Sequence, residues 1–135
     1  MGDTTTIKIL EQGRAKSAYD CAEKGSKIEK KKEYKSYVKK IPMLIKTNGL
    51  GAAFAFMLSK GGTYEFIGGQ VLEWLKNDEK SILPDAKEID SFGKLNAKIV
   101  SLNSPEYRAV TIEVLAFFNW LRRFADGLAG DEDKK

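Results

Sequence analysis

Histidine is absent from this sequence, cysteine occurs once and proline three times in 135 residues. Without histidine the chain lacks the side chain that most often titrates near neutral pH, which removes Ser-His and Cys-His nucleophilic catalysis and histidine-ligated metal chemistry. Cys21 can form no internal disulfide, and with no other Cys or His ligands it can build no structural zinc site. It has no base to activate it and lies on the packing face of a helix, so it reads as a buried, inert thiol. No apolar run approaches the roughly 18 to 20 residues that span a bilayer, and the first ten residues lack the order of a signal peptide. The expectation is a cytoplasmic protein without membrane contact, metal, cofactor or catalytic residues.

Two further absences narrow the field. Paired carboxylates suited to acid and base work do not occur; Glu11, Glu29, Glu33 and Glu113 each read as helix-surface or capping residues. Gly68-Gly69-Gln70 lacks the lysine of a phosphate loop. The same triplet matches the peptidyl-transfer tripeptide of release factors, but it is flanked by the apolar Ile67 and Val71, and close helix packing at small residues is the better account.

What is present is helical periodicity. Apolar residues recur at spacings of three and four nearly everywhere, and strict alternation is missing. With 42% hydrophobic residues, the chain suits an all-α, single-domain bundle of about six helices spanning 1–135, with an ordered core over 6–128, a short N-terminal tail and a charged C-terminal one.

The first helix covers about 6–24, with Ile7, Leu10, Ala18 and Cys21 on one face and Gly25 ending it. The second is expected to begin at Ser26, where Ser26 and Glu29 fit a capping box. Its stripe is Tyr34, Tyr37, Val38, Ile41, Leu44 and Ile45, and Pro42 should kink or divide it. Asn48-Gly49 precedes a third helix carrying Leu50, Ala53, Phe54, Met57 and Leu58. Gly61-Gly62 precedes a fourth with Tyr64, Ile67, Val71, Trp74 and Leu75 inward. Asp85 and Glu88 can cap a fifth, striped by Phe92, Leu95, Ile99 and Leu102. Ser104 and Pro105 open the last helix, whose arc of Tyr107, Val110, Val114, Phe117, Phe118, Leu121, Phe124 and Leu128 marks it as the spine of the core.

Charge is unevenly spread. Residues 1–46 hold 12 Lys and Arg against 6 Asp and Glu, a net of +6, whereas 47–135 hold 11 against 13, a net of −2. Such asymmetry suggests a polyanion met by the first third. In the second helix, Lys32, Lys35, Lys39 and Lys46 align along one edge, able to track successive phosphates or simply to form a solvated face. Tyr34 and Tyr37 could stack on bases, but they sit on the apolar stripe, where core packing explains them. Arg14 falls in an apolar row, and either pairs with a carboxylate at the edge of the core or forks onto a phosphate. On the last helix, Ile112 and Leu115 fall among polar residues that include Arg122 and Arg123, which makes these four the candidate protein interface, with packing on a neighbouring helix as the alternative.

Three segments carry a resemblance: Gln12-Gly13-Arg14-Ala15-Lys16 with Ala18 and Tyr19, the stretch from Tyr34 to Gly51 with its Lys46-Thr47-Asn48-Gly49-Leu50, and Trp120-Leu121-Arg122-Arg123-Phe124-Ala125. Together they resemble the small α-helical subunit of the Cmr complex, the type III-B CRISPR effector that silences RNA under the direction of a guide. The resemblance runs from about Leu10 to Leu128. It implies a helical bundle whose copies stack in the minor filament, beside other Cmr subunits, guide RNA and target RNA, with cleavage left to those other subunits. It also implies that Arg14, Lys39, Lys40 and Lys46 match the family's basic positions, so that the RNA-binding candidates are Arg14, Lys32, Lys35, Lys39, Lys40 and Lys46. A pure protein adaptor without RNA contact is the rival reading. A helix-turn-helix DNA reader turning at Thr47-Asn48-Gly49 is a third, weakened by a following helix rich in Phe and Ala.

Overall fold

The computed structural model describes residues 3–128, with side chains from Glu11 onward. It contains six helices: α1 (Asp3–Gly25), α2 (Lys31–Asn48), α3 (Leu50–Lys60), α4 (Gly62–Asn77), α5 (Phe92–Ser101) and α6 (Ser104–Gly127), with a 3-10 turn at Ala86–Glu88 in the link from α4 to α5. There is no strand among the described residues, so the all-α expectation holds. The expected inward positions of Ile7 and Leu10, and the charged tail beyond Leu128, lie outside what is described.

Helix α6 is the spine. Val110, Val114, Phe117, Phe118 and Leu121 are wholly buried, and the helix packs against both α1 and α2. Removing each such side chain from water stabilises the fold by about 1.5 to 3 kcal/mol. Helices α3, α4 and α5 pack on one another, with Phe54 against Phe92 at 5.3 Å between ring centroids; α3 and α4 also pack on α2, and Trp74 of α4 stacks on Phe117 of α6 at 6.1 Å.

Local chemistry shifts several helix starts from their expected places. The cap of α6 is Asn103, one residue before Ser104: its side chain accepts from the Glu106 N–H at 2.9 Å, and Glu106 accepts in return from the Asn103 N–H at 3.3 Å. Asp85 and Glu88 do not cap the fifth helix. Asp85 adopts a left-handed backbone with φ of 57° at the 3-10 turn, and α5 starts at Phe92, where the Ser91 hydroxyl accepts from the Lys94 N–H at 3.2 Å.

The capping box at Ser26 does not form either. The Ser26 N–H donates to Ala22 O at 2.9 Å and its hydroxyl donates to Glu23 O at 2.7 Å, which makes Ser26 part of the closing turn of α1. The ring of Tyr34 holds this junction. A Cβ on Gly25 would lie 2.1 Å from that ring, so glycine is needed here for close approach. The Tyr34 hydroxyl donates to Gln70 Oε1 at 2.7 Å, and Gln70 Nε2 donates to Cys21 O at 2.9 Å, tying α4 to the last turns of α1. Gly68 meets the Phe92 ring, 2.6 Å from a would-be Cβ, so close packing accounts for this glycine, whereas Gly69 has nothing within 4 Å and Gln70 is held by its hydrogen bonds.

Helix α2 runs through Pro42 undivided. An interior proline costs about 3 kcal/mol. Val38, Ile41 and Ile45 around it are buried to 0, 0 and 2% exposure, and together they outweigh that loss. The chain then turns at Gly49, whose φ of 94° few other residues adopt without strain.

Candidate nucleic-acid interface

The cationic edge of α2 faces solvent beside α6. Lys32, Lys39, Lys40 and Lys46 are exposed, and Lys35 is partly covered. Lys32, Lys35, Ser36, Lys39 and Lys40 line a shallow cleft of about 490 Å³. A second cleft of about 430 Å³ runs between α2 and α6, lined by Lys39, Met43 and Lys46 on one side and Leu115, Asn119 and Arg122 on the other. Lys39 belongs to both, so the two form one trough. It exists because α2 and α6 pack antiparallel: Lys35 and Lys39 lie across from Asp126, while Lys46 and Met43 lie across from Leu115.

Electrostatically the trough is not uniform. Asp126 Oδ1 takes the ammonium groups of Lys39 at 3.2 Å and of Lys35 at 3.5 Å. The hydrogen bond from Lys39, with the charge of both lysines, holds the Asp126 carboxyl below its usual range. Lys40, Lys46 and Arg122 make no ion pair among the described residues.

The structure brings together residues that the sequence assigns to two sites. Leu115 and Arg122, candidates for a protein interface, share the trough with Lys39 and Lys46. Leu115 also packs on the core, as the intramolecular alternative has it. Ile112 is 63% exposed one turn before Leu115, and Arg123 is exposed beyond the trough lining. Two apolar residues that sequence reasoning passed over, Met43 and Val100, are more exposed still, at 65 and 73%. Each lies off the buried stripe of its helix, the same signal that drew attention to Ile112.

Arg14 is not on this face. Its Nε and Nη2 donate to Glu113 at 2.8 and 2.9 Å, and its Nη1 donates to Glu11 at 3.0 Å. Of the two readings open to it, the structure shows the ion pair at the edge of the core. Its partner overturns another expectation: Glu113 is no surface residue but is 4% exposed, inside the apolar arc of α6. The carboxylate accepts from Trp74 Nε1 at 2.8 Å and from Lys80 Nζ at 3.0 Å as well as from Arg14. Lys80 in turn reaches the buried Asp78 at 2.9 Å. Burial pushes the Glu113 carboxyl upward, but the hydrogen bonds from Arg14, Lys80 and Trp74 outweigh it and the net shift is downward. The network joins α1, the end of α4, the loop after it and α6, and every buried polar side-chain atom among the described residues has a partner.

Cys21 is buried, and desolvation pushes its thiol up to about 11, which leaves little thiolate for chemistry. Among the described residues, no group of three or more His, Cys, Asp or Glu could hold a metal, and no helix is long and apolar enough to cross a membrane.

Comparison with known proteins bears directly on this arrangement. Residues 10–128 match the family model of the CRISPR-associated protein Cas_Cmr5. A curated relative, the CRISPR system Cmr subunit Cmr5 of Thermus thermophilus, is 28% identical over 124 residues, covering 90% of this chain and 97% of its own. The crystal structure of a CRISPR-associated Cmr5 family protein from Thermus thermophilus superimposes with a TM-score of 0.75 at 26% identity, covering 90% of this chain and 98% of the other. The helical bundle, the match along nearly its whole length and the shared fold lead to one conclusion: the chain belongs to the Cmr5 family, the small subunits of Cmr complexes.

Proposed function

We propose that this chain is a non-catalytic subunit of a type III-B RNA-silencing complex, stacking with copies of itself and with other Cmr subunits, and holding guide or target RNA along the α2 edge. The observation that carries the RNA contact is the trough itself: Lys39, Lys40, Lys46 and Arg122 are exposed along it, and Asp126 pairs with Lys35 and Lys39. Cations spaced one to two helical turns apart suit a phosphate backbone, and the absence of aromatic rings from the trough lining favours reading charge over reading bases. Lys32 and Lys35 extend the face at one end. Arg14 serves as a structural residue, since its donors already face carboxylates. The exposed Ile112, with Arg123, is assigned to protein neighbours.

The non-catalytic role rests on chemistry. The chain has no histidine, its thiol is buried, and the buried Glu113 is saturated with donors.

The test replaces Lys39, Lys40 and Lys46 together with Glu in the assembled complex. Assembly and melting temperature should be unchanged while target RNA affinity falls. The slope of log affinity against log salt should flatten by about 0.7 for each phosphate contact with a single strand that is lost. Normal assembly with unaltered affinity and slope would make the face merely solvated, and the pure adaptor reading would stand instead.

A further inference from the structure

Lys35 and Lys39 lie one turn apart on α2, and their ammonium groups converge on a single oxygen, Asp126 Oδ1, at 3.5 and 3.2 Å. Two cations directed at one oxygen make a site for an anion, because without one they would repel each other. A carboxylate oxygen and a backbone phosphate oxygen carry the same sign of charge and accept from the same N–H donors. We propose that Lys35 and Lys39 form a phosphate subsite of the RNA face and that Asp126 occupies it in the free protein as an intramolecular competitor. This inference rests on the RNA-holding reading of the α2 edge.

The surroundings favour competition over a structural pair. Asp126 stands next to the last residue of α6, and the final turn of that helix carries no basic residue. An acid at a helix C-terminus faces the negative end of the dipole, so its own helix does not favour it there. The favourable charges come from α2. The Asp126 and Lys39 side chains are 58 and 47% exposed, and such a solvated pair gives way readily to a stronger polyanion. Lys35 is only 19% exposed, so the floor of the subsite is held by packing while its lid is free to rotate away. RNA entering the trough would displace the carboxylate from the two ammonium groups and put a phosphate in its place.

Asp126→Asn keeps the shape and removes the competing charge. In the assembled complex it should tighten target RNA binding several-fold, on the order of three- to tenfold for one surface charge in moderate salt. The salt slope should steepen, since the variant has no displaced carboxylate to take up a cation when the phosphate enters. Thermal melting should not move. Adding Lys39→Gln to Asp126→Asn should abolish the gain. If Asp126→Asn leaves affinity and slope unchanged while the Lys39, Lys40 and Lys46 variant weakens binding, the competitor is refuted and the RNA face survives. If Asp126→Asn weakens binding, the carboxylate positions the lysines, and the proposal is overturned in that way. If neither variant alters binding, the RNA face falls and this inference falls with it.

Discussion

Replacing Glu113 with Ala would leave the Arg14 guanidinium, the Lys80 ammonium and the Trp74 indole N–H without their common acceptor. Arg14 and Lys80 retain 15 and 20% of their side-chain exposure, so each recovers some hydration, whereas Trp74 is 5% exposed and recovers almost none. Breaking a buried ion pair by removing one partner costs about 3 to 5 kcal/mol. That range includes an unsatisfied indole at about 1 to 3 kcal/mol. For a domain of this size each kcal/mol lowers the melting temperature by about 4 °C, so a loss of roughly 12 to 20 °C is expected by circular dichroism. Glu113→Gln keeps the shape and one acceptor and should cost less. Changing Glu113 to Leu together with Arg14 to Met should recover part of the loss, since an apolar replacement of both partners strands fewer buried charges. A Glu113→Ala melt within 1 kcal/mol of the parent would mean that the network does not hold α1 to α6. The pH dependence follows from the lowered carboxyl. Its stabilisation is fully present above the unfolded glutamate value of about 4.3 and disappears as pH falls through the lower folded value. Glu113→Gln should therefore lose less stability than the parent on acidification below about pH 4.5.

Other positions give simpler tests. Gly25→Ala puts a methyl group against the Tyr34 ring, 2.1 Å from where the Cβ would lie, and should destabilise by about 1 to 3 kcal/mol in a urea titration, whereas Gly13→Ala on the same helix, with nothing within 4 Å, should be neutral or stabilising. Cys21 should react with a thiol reagent slowly in the folded protein and rapidly once unfolded; fast labelling under native conditions would contradict its burial.

The fold was legible because its apolar stripes are long and helical. The arcs of α4 and α6 match the buried residues closely, since fully buried aliphatic and aromatic side chains leave a periodic trace that polar surface positions do not blur. The junctions were less legible, because they depend on contacts between residues distant in sequence. Ser26 and Glu29 have the right spacing for a capping box, yet Tyr34 must settle into the space at Gly25 and reach Gln70 on α4, and that tertiary demand delays the start of α2. Pro42 carries a real local penalty, and burial of Val38, Ile41 and Ile45 overrides it.

The candidate site shows the same division. A row of lysines on one helix edge is a local pattern, and the structure keeps it on a solvated face. Glu113 and Arg14 were not readable in this way, because a charged residue inside an apolar arc means either an exposed edge or a buried pair, and only the partner distinguishes them. Each residue was in fact a clue to the other. An arginine in the apolar row of the first helix and a glutamate in the apolar arc of the last are the two halves of one bond, 99 residues apart. Their pairing directs Arg14 to the α1 to α6 seam, away from the α2 edge, and the buried polar side-chain atoms described there are all partnered. The unbalanced positive charge is then left to α2, where Asp126 from the far end of α6 meets two of its lysines. The last helix thus partners charge on both sides, buried and permanent at Glu113, exposed and replaceable at Asp126. That difference in solvation separates the carboxylate that holds the fold from the one that RNA is expected to displace.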